Sequence, residues 1–196
     1  MNKRILALIS AIPVTTVILT ACGTASSTSP GSSMPMAGHS TNGAMMHNAG
    51  DVTFAQAMIP HHRQAVQMAK LAATRASDSR VKDLAARIEA AQGPEIMKMT
   101  GWLATWGAAM PSDMTGMDGM PGIMSTADMA ALTAASGAAF DKAFLTMMIA
   151  HHTGALAMAK TELASGTDAD AKALAQSIID GQTKEITEMK AILGTG

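Results

Sequence analysis

The feature that most constrains the fold of this chain is an ungapped internal repeat. The segment Met58–His62, which reads MIPHH, returns as MIAHH at Met148–His152, an offset of 90 residues (148 − 58). A second element, QGPEIMKM at Gln92–Met99, returns at the same offset as QTKEITEM at Gln182–Met189. A repeat that keeps its His, Gln, Glu and Met positions without gaps predicts that one helix pair has been duplicated.

The N-terminus has the features of an export signal. Lys3 and Arg4 precede an apolar run over residues 5–19, which ends in Leu-Thr-Ala-Cys at Cys22. This arrangement is typical of a secretory signal peptide. It resembles the lipobox of bacterial lipoproteins, which implies that residues 1–21 are removed and that a lipid on Cys22 anchors the chain to the membrane. An uncleaved anchor is the alternative, although about 20 apolar residues are needed to span a bilayer. Both interpretations place the domain outside the cytoplasm.

Cysteine content and charge exclude several classes of protein. Cys22 is the only cysteine among 196 residues, so its lipidation would leave no disulfide, thiolate ligand or cysteine nucleophile in the folded part. Without Lys3 and Arg4, 12 of the 14 basic residues remain against 15 acidic ones, a formal charge of −3. No basic patch is evident, so the sequence does not favour a nucleic-acid partner.

The mature chain divides into a tether and one domain. Residues 22–50 are rich in Ser, Thr, Gly, Pro and Ala without a periodic apolar face, which indicates a flexible tether. Residues 51–196 suit a single domain. Ala, Met, Leu, Lys and Gln dominate this domain and aromatic residues are scarce, which is the composition of helices rather than strands. The sequence therefore predicts an all-α domain.

The duplicated helix pairs predict an antiparallel four-helix bundle. Repeat 1 covers about 51–106, a Met-rich connection about 107–124, a short helix about 125–136 and repeat 2 about 141–193. Asp78 and either Thr167 or Asp168 are predicted helix caps, and Ser125 with Asp128 resembles a capping box. Pro60 and Pro94, which the second copy lacks, should each kink a helix or mark its start.

Polar residues lie inside the apolar faces of the predicted helices. At about 100° per residue, both histidines of each copy and the following glutamate fall on the buried face. Imidazoles with a carboxylate could hold a divalent ion or Cu(II). A buried hydrogen-bond network that only satisfies these groups is the alternative. The candidate residues are His61, His62, His151, His152, Glu95 and Glu185.

Methionine gives a second indication of metal binding. The chain has 19 methionines, and several lie in segments that are too polar and broken to form a core. Thioethers with imidazole select Cu(I), so clustered methionine in an exported protein indicates copper. An incidental low-complexity linker or a hydrophobic lid is the alternative, and core filling is the alternative for helical methionines. The spacing of Met114, Met117 and Met120 would let one loop supply three sulfurs, and Met45-Met46-His47 could add a mixed site.

The doubled motif resembles a bacterial family catalogued as domain of unknown function 305. The likeness rests on Met-Ile-x-His-His, Ala-x-x-Met-Ala and Gln-x-x-Glu-Ile-x-x-Met, each present twice, and on Trp102-Leu103-x-x-Trp106-Gly107. The resemblance implies a ferritin-like four-helix bundle of the kind found in CopM-like periplasmic copper-binding proteins. It also implies that copper, as Cu(I) or Cu(II), binds to Met58, His61, His62, Met68, Met148, His151, His152 and Met158.

Three functions remain open on the sequence. The first is a non-catalytic copper-binding lipoprotein that sequesters, buffers or transfers copper, with a transfer partner. The second is a ferritin-type metal-dependent oxidase, although such sites use Glu-x-x-His motifs and this chain has none. The third is a structural or interaction bundle whose buried polar network only fixes helix register. The oligomeric state is not encoded in any recognisable pattern.

Overall fold

The computed structural model describes residues 46–112 and 119–194. Three groups of predicted features lie outside these ranges: the signal peptide with Cys22, the tether up to Met45, and the loop methionines Met114 and Met117. No helix in the described part of the chain combines the length and the apolar character needed to cross a bilayer.

The described residues form helices and no strands. The helices are α1 (Ala49–Arg75), α2 (Ser79–Thr105), α3 (Thr126–Ala134), α4 (Gly137–Ser165) and α5 (Ala169–Leu193). Within each repeat a three-residue turn separates the two long helices, so α1 packs antiparallel to α2 and α4 to α5. Contacts between α1 and α4 join the two hairpins. The predicted all-α, ferritin-like four-helix bundle is confirmed, with α3 as a short addition before α4.

Helix caps account for most helix boundaries. Asp78 and Asp168 accept hydrogen bonds from the first backbone amides of α2 and α5, and Ser125 and Asp128 form a capping box on α3, all as predicted. The start of α1 differs from the prediction, because the helix begins within the last residues assigned to the tether. Asn48 forms a second capping box there.

The two prolines of the first repeat do not start helices. Pro60 lies in the interior of α1 and Pro94 in the interior of α2. The part of the prediction that had them mark helix starts is therefore wrong. Tertiary packing along both helices outweighs the loss of one backbone hydrogen bond at each proline.

Equivalent aspartates fasten the two hairpins to each other. Asp51 in the first turn of α1 accepts a hydrogen bond of 3.0 Å from the backbone amide of Asp168, in the turn of the other hairpin. Asp141, which is 90 residues later (141 − 51), accepts one of 3.0 Å from the amide of Asp78. Turn amides of each hairpin are thus satisfied by a carboxylate from the opposite repeat, which fixes the relative position of the hairpins.

Two apolar clusters fill the bundle. The first includes Leu84, Phe144 and Met148, and the second includes Met58, Met99 and Ile178. Each of the four long helices contributes to one cluster before, and to the other after, the polar positions of the repeat. We call these positions the polar layer: His61, His62, Gln92, Glu95, His151, His152, Gln182 and Glu185.

The connection between the hairpins is only partly outside the core. Met110 is 47% exposed, as expected of a loop. Met124, however, is partly buried and packs against the first apolar cluster. The expectation that the connection contributes nothing to the core is wrong at this residue, because the chain runs back over the bundle before α3 begins.

Candidate metal centre

Each hairpin forms one histidine–glutamate pair in the polar layer. His62 Nε2 lies 2.7 Å from Glu95 Oε2, and His152 Nε2 lies 2.7 Å from Glu185 Oε2. Both histidines are fully buried, whereas the glutamate side chains are 20% and 19% exposed. The carboxylates therefore bridge buried imidazole and solvent within their own repeat. Helical periodicity had put all four groups on buried faces but had not shown which partners meet.

The other two histidines face each other across the bundle. The rings of His61 and His151 have their centroids 3.8 Å apart and are tilted by 44°. Both residues are completely buried. His61 Nε2 lies 3.3 Å from the backbone oxygen of Pro121, which belongs to the connection between the hairpins. The bundle thus brings one histidine of each repeat into direct contact.

Burial keeps this central pair neutral. Burial is the largest cause that lowers the pKa of His61, to about 3, and His62 and His152 lower it further against the opposing effect of the Pro121 carbonyl. Burial, with the neighbouring His61, holds the pKa of His151 well below its usual range. A neutral imidazole keeps one lone pair for a ligand, so a metal would displace no proton from these rings.

Several buried polar atoms of the polar layer have no hydrogen-bond partner among the described residues. The Nδ1 atoms of all four histidines are buried without a hydrogen-bond partner among the described residues. The same holds for His151 Nε2, for both side-chain polar atoms of Gln92 and for Gln182 Oε1. Leaving a buried polar group unpaired costs about 1–3 kcal/mol, and a network kept only for structure would have few such groups.

Three of the histidines share one arrangement of their ring nitrogens. Nε2 of His61, His62 and His152 faces an oxygen acceptor, whereas Nδ1 of each has no partner in the described ranges. Because each oxygen accepts a hydrogen bond, Nε2 carries a hydrogen; in His61, which burial keeps neutral, the lone pair therefore lies on Nδ1. Metal-binding histidines show this pattern, in which one nitrogen is anchored by an oxygen and the other binds the ion.

Side chains of the His, Cys, Asp and Glu types do not by themselves make a complete site. Within residues 46–112 and 119–194, no group of three or more of them lies close enough to hold one metal ion. The structure therefore brings together His61 with His151, and each outer histidine with its glutamate, as separate pairs. Any ion held at the central pair would need ligands of another type.

Methionines flank the central pair in both repeats. Met58 and Met148 precede His61 and His151 by three residues, one helical turn, and both are fully buried. Met68 is also fully buried, in the first apolar cluster, where core packing explains it. Met158 is partly buried and lines a pocket of about 390 Å³ between α1 and α4.

The predicted ligands in the tether and in the loop have different surroundings. The ring of His47 stacks on Trp106, with centroids 4.8 Å apart and planes 11° apart, while the adjacent Met46 is 74% exposed. Met120 is half-buried at the start of the segment that reaches His61. The predicted three-sulfur site falls mostly on residues outside the described ranges.

Two features of the site had no counterpart in the sequence prediction. One is the Pro121 carbonyl at His61. The other is a buried carboxyl pair, in which Glu162 contacts Asp51 at the edge of the 390 Å³ pocket. A position-by-position comparison of the repeats would have drawn attention to Glu162, because its equivalent 90 residues earlier (162 − 90) is Ala72.

The carboxyl pair shares one proton. Burial first, and then the hydrogen bond and the charge of Asp51, raise the pKa of Glu162 to about 8, with a smaller opposing effect of Lys172. For Asp51, burial acts in the same direction, but hydrogen bonds from Asn48, Glu162 and the backbone of Asp168 and Thr167 outweigh it and lower its pKa to about 2. At neutral pH the proton therefore resides on Glu162, which donates to the Asp51 carboxylate.

Comparison with known proteins identifies relatives for nearly the whole bundle. Residues 51–193 match the family described as domain of unknown function DUF305. A DUF305 protein from Streptomyces coelicolor is 33% identical, with a TM-score of 0.69 over 74% of this chain and 92% of that one. A DUF305 fragment from Deinococcus radiodurans is 30% identical, with a TM-score of 0.70 over 76% and 97% of the two chains. No curated protein sequence matches significantly.

Structures of CopM are also similar to this chain. The Cu(II)-bound form is 33% identical, with a TM-score of 0.64 over 72% of this chain and 93% of that one. The Cu(I)-bound form is 30% identical, with a TM-score of 0.62 over the same shares. Silver-bound and apo forms of CopM match as well.

Proposed function

This chain belongs to the DUF305 family, and on that premise we propose that it is an extracytoplasmic copper-binding lipoprotein. It would sequester, buffer or transfer copper, without catalysing a reaction, while the lipid on Cys22 holds it at the membrane. The observation that carries the proposal is the set of buried Nδ1 atoms without partners in the polar layer. The copper- and silver-bound forms of CopM support the choice of metal.

The ligands at the centre would be nitrogen and sulfur. His61 and His151 are in contact, neutral and buried, and Met58 and Met148 lie one turn away on the same helices. Two imidazoles with thioethers form a soft, uncharged donor set, which selects Cu(I). This set also explains why acidic and histidine side chains alone are insufficient. Cu(II) would use the imidazoles more than the sulfurs.

The histidine–glutamate pairs would moderate the charge of the ion. A cation in a buried site of neutral ligands lacks compensation unless acidic groups lie nearby. Glu95 and Glu185 reach the polar layer through His62 and His152 and are still partly exposed. Each glutamate contacts a histidine that directly follows a histidine of the central pair in sequence, so two carboxylates would lie near the ion. Copper bound here would be released to a partner only when the central ligands are exchanged.

The proposal is tested by metal titration of the chain from Gly23 onward. Cu(I) is titrated against a competing chelator, and Cu(II), Zn(II) and Fe(II) in parallel. The double variant His61→Gln and His151→Gln keeps polar side chains in the layer but removes the imidazoles. We expect Cu(I) affinity to fall by roughly 100-fold or more. This is a larger loss than that caused by removing a group that only hydrogen-bonds to a metal ligand.

A matched control separates the central pair from the tether. His47→Gln removes a histidine that stacks on Trp106 outside the polar layer. It should leave the affinity unchanged. Equal Cu(I) affinities in wild type and the double variant, with a lower affinity in His47→Gln, would show that copper binds at the tether. Preference for a coupled pair of iron ions would instead support a ferritin-type oxidase.

A further inference from the structure

The last part of the connection between the hairpins is seated on both of them. We call residues 120–124 the strap. It contacts α1 at His61 and Gln64, and α4 around Gly154. The strap therefore crosses the bundle over the central histidine pair.

We call the contact surface of the strap on each helix its seat. The seat on α4 depends on two glycines. A Cβ atom on Gly154 would lie 1.9 Å from the backbone oxygen of Pro121, which no side chain permits. Gly122 has a φ of 81°, and a Cβ there would lie 2.6 Å from the backbone oxygen of Ala150. The absence of both side chains lets the strap backbone lie directly on the helix.

The seat on α1 depends on one glutamine. Gln64 Nε2 donates to the backbone oxygen of Met124 at 2.8 Å, and Gln64 Oε1 accepts from the Met124 amide at 2.8 Å. Gln64 and Gly154 are equivalent positions of the two repeats, 90 residues apart (154 − 64). The repeats differ at this position. Gln64 provides hydrogen bonds to the Met124 end of the strap, and Gly154 provides space for the backbone at the Pro121 end.

The strap determines which nitrogen of His61 carries the proton. The Pro121 carbonyl can only accept, so His61 Nε2 donates to it and the lone pair lies on Nδ1. Glu95 and Glu185 likewise accept a hydrogen bond from Nε2 of His62 and of His152. The strap thus provides for the central histidine the anchor that a glutamate provides for each outer one.

We propose that the strap, held by Gln64 and Gly154, is a positioning element that sets the tautomer of His61 and presents its Nδ1 to the metal. This inference rests on the proposed function for the identity of the ligand. Because coupling between two binding events is reciprocal, copper bound at Nδ1 should in turn hold the strap more firmly. Gln64 and Gly154 are positioning residues and need not contact the ion.

The test uses two variants of the seats and one control. Gly154→Ala places a methyl group where the Pro121 carbonyl lies, and Gln64→Met removes both hydrogen bonds to Met124 at nearly constant volume. Gly101→Ala is the control, since a Cβ on this helical glycine meets nothing within 4 Å. Alanine favours helix over glycine, so Gly154→Ala should displace the strap without unfolding α4.

Two measurements are made on each protein. In the metal-free state, ¹⁵N chemical shifts of the His61 ring report the tautomer, and hydrogen exchange of the Met124 amide reports strap docking. Both seat variants should lose the pure Nε2–H tautomer and exchange faster at Met124, whereas Gly101→Ala should match wild type. Cu(I) affinity should fall by about 10–100-fold in the seat variants, the usual effect of losing an outer-shell partner.

Several outcomes would overturn the inference. An unchanged His61 tautomer in both seat variants would show that the strap does not set it. Faster Met124 exchange in wild type after copper loading would show that the metal takes Nε2 and expels the strap. Absence of copper binding in every protein would refute the proposed function, while the metal-free tautomer would still decide whether the strap positions His61.

Discussion

Replacing Glu162 by glutamine should remove a pH dependence of stability that the wild-type bundle has. The buried pair with Asp51 raises the pKa of Glu162 from 4.5 to about 8. The folded protein therefore binds a proton that the unfolded chain has released between these values. This contribution to stability is fully present below pH 4.5 and is lost as the pH rises through 8.

The magnitude follows from the width of that window. Each pH unit between the two pKa values changes the free energy of unfolding by about 1.4 kcal/mol. Between pH 6 and pH 9, stability falls only up to the folded pKa of about 8, that is, over two pH units. Screening by solvent at the open edge of the pocket reduces the loss to roughly 2 kcal/mol. The amide of glutamine donates to Asp51 at every pH, so Glu162→Gln should show none of this loss.

Urea denaturation followed by helical circular dichroism at pH 6, 7, 8 and 9 measures the difference. Glu89→Gln, at a side chain that is 45% exposed, serves as a control for removal of one carboxylate, and the stability of this variant should follow wild type at each pH. The variant Glu162→Gln should gain on wild type by roughly 2 kcal/mol across the series. A gap between the two proteins that does not change with pH would refute the shared proton.

Three further changes test other parts of the structure. Asp141→Asn removes the carboxylate that accepts from the α2 turn and should lower the free energy of unfolding by about 1–3 kcal/mol; a thermal melt equal to that of the exposed Asp83→Asn would contradict this anchor. Met148→Leu keeps the core volume, so chemical denaturation should shift by less than about 1.5 kcal/mol while Cu(I) affinity falls; unchanged affinity would exclude its sulfur as a ligand. Phe144→Ala leaves a cavity in the first apolar cluster and should cost about 3–5 kcal/mol in the same assay, and a cost below 1 kcal/mol would mean that this cluster is loosely packed.

Helical periodicity was sufficient to predict the bundle and the histidines and glutamates of the polar layer. Apolar spacing, turn residues such as Asp78 and the fixed offset between copies are local properties of the chain, so each could be recognised without coordinates. The pairing inside the layer could not. Whether His62 contacts Glu95 or the opposite repeat depends on how far each helix is rotated about its axis, which packing of both clusters decides.

The strap and the carboxyl pair were not predictable for a different reason. The strap lacks helical periodicity, so the path that brings Pro121 to His61 follows from contacts with Gln64 and Gly154 that lie far away in sequence. Glu162 had the pattern of a residue on a polar helix face, and only the approach of Asp51 from another helix makes it a proton donor. Both features occur where the repeats differ.

The internal duplication has a consequence for how the chain assembles. Each hairpin offers its partner a surface much like its own, so a hairpin from a second chain could pair in its place and form a swapped dimer. The residues that break the duplication distinguish these pairings. A first hairpin carries no glycine seat for the strap and no Glu162 for Asp51, so two first hairpins would lack both contacts. Departures from symmetry thereby favour the pairing of a first hairpin with a second one over the pairing of two first hairpins.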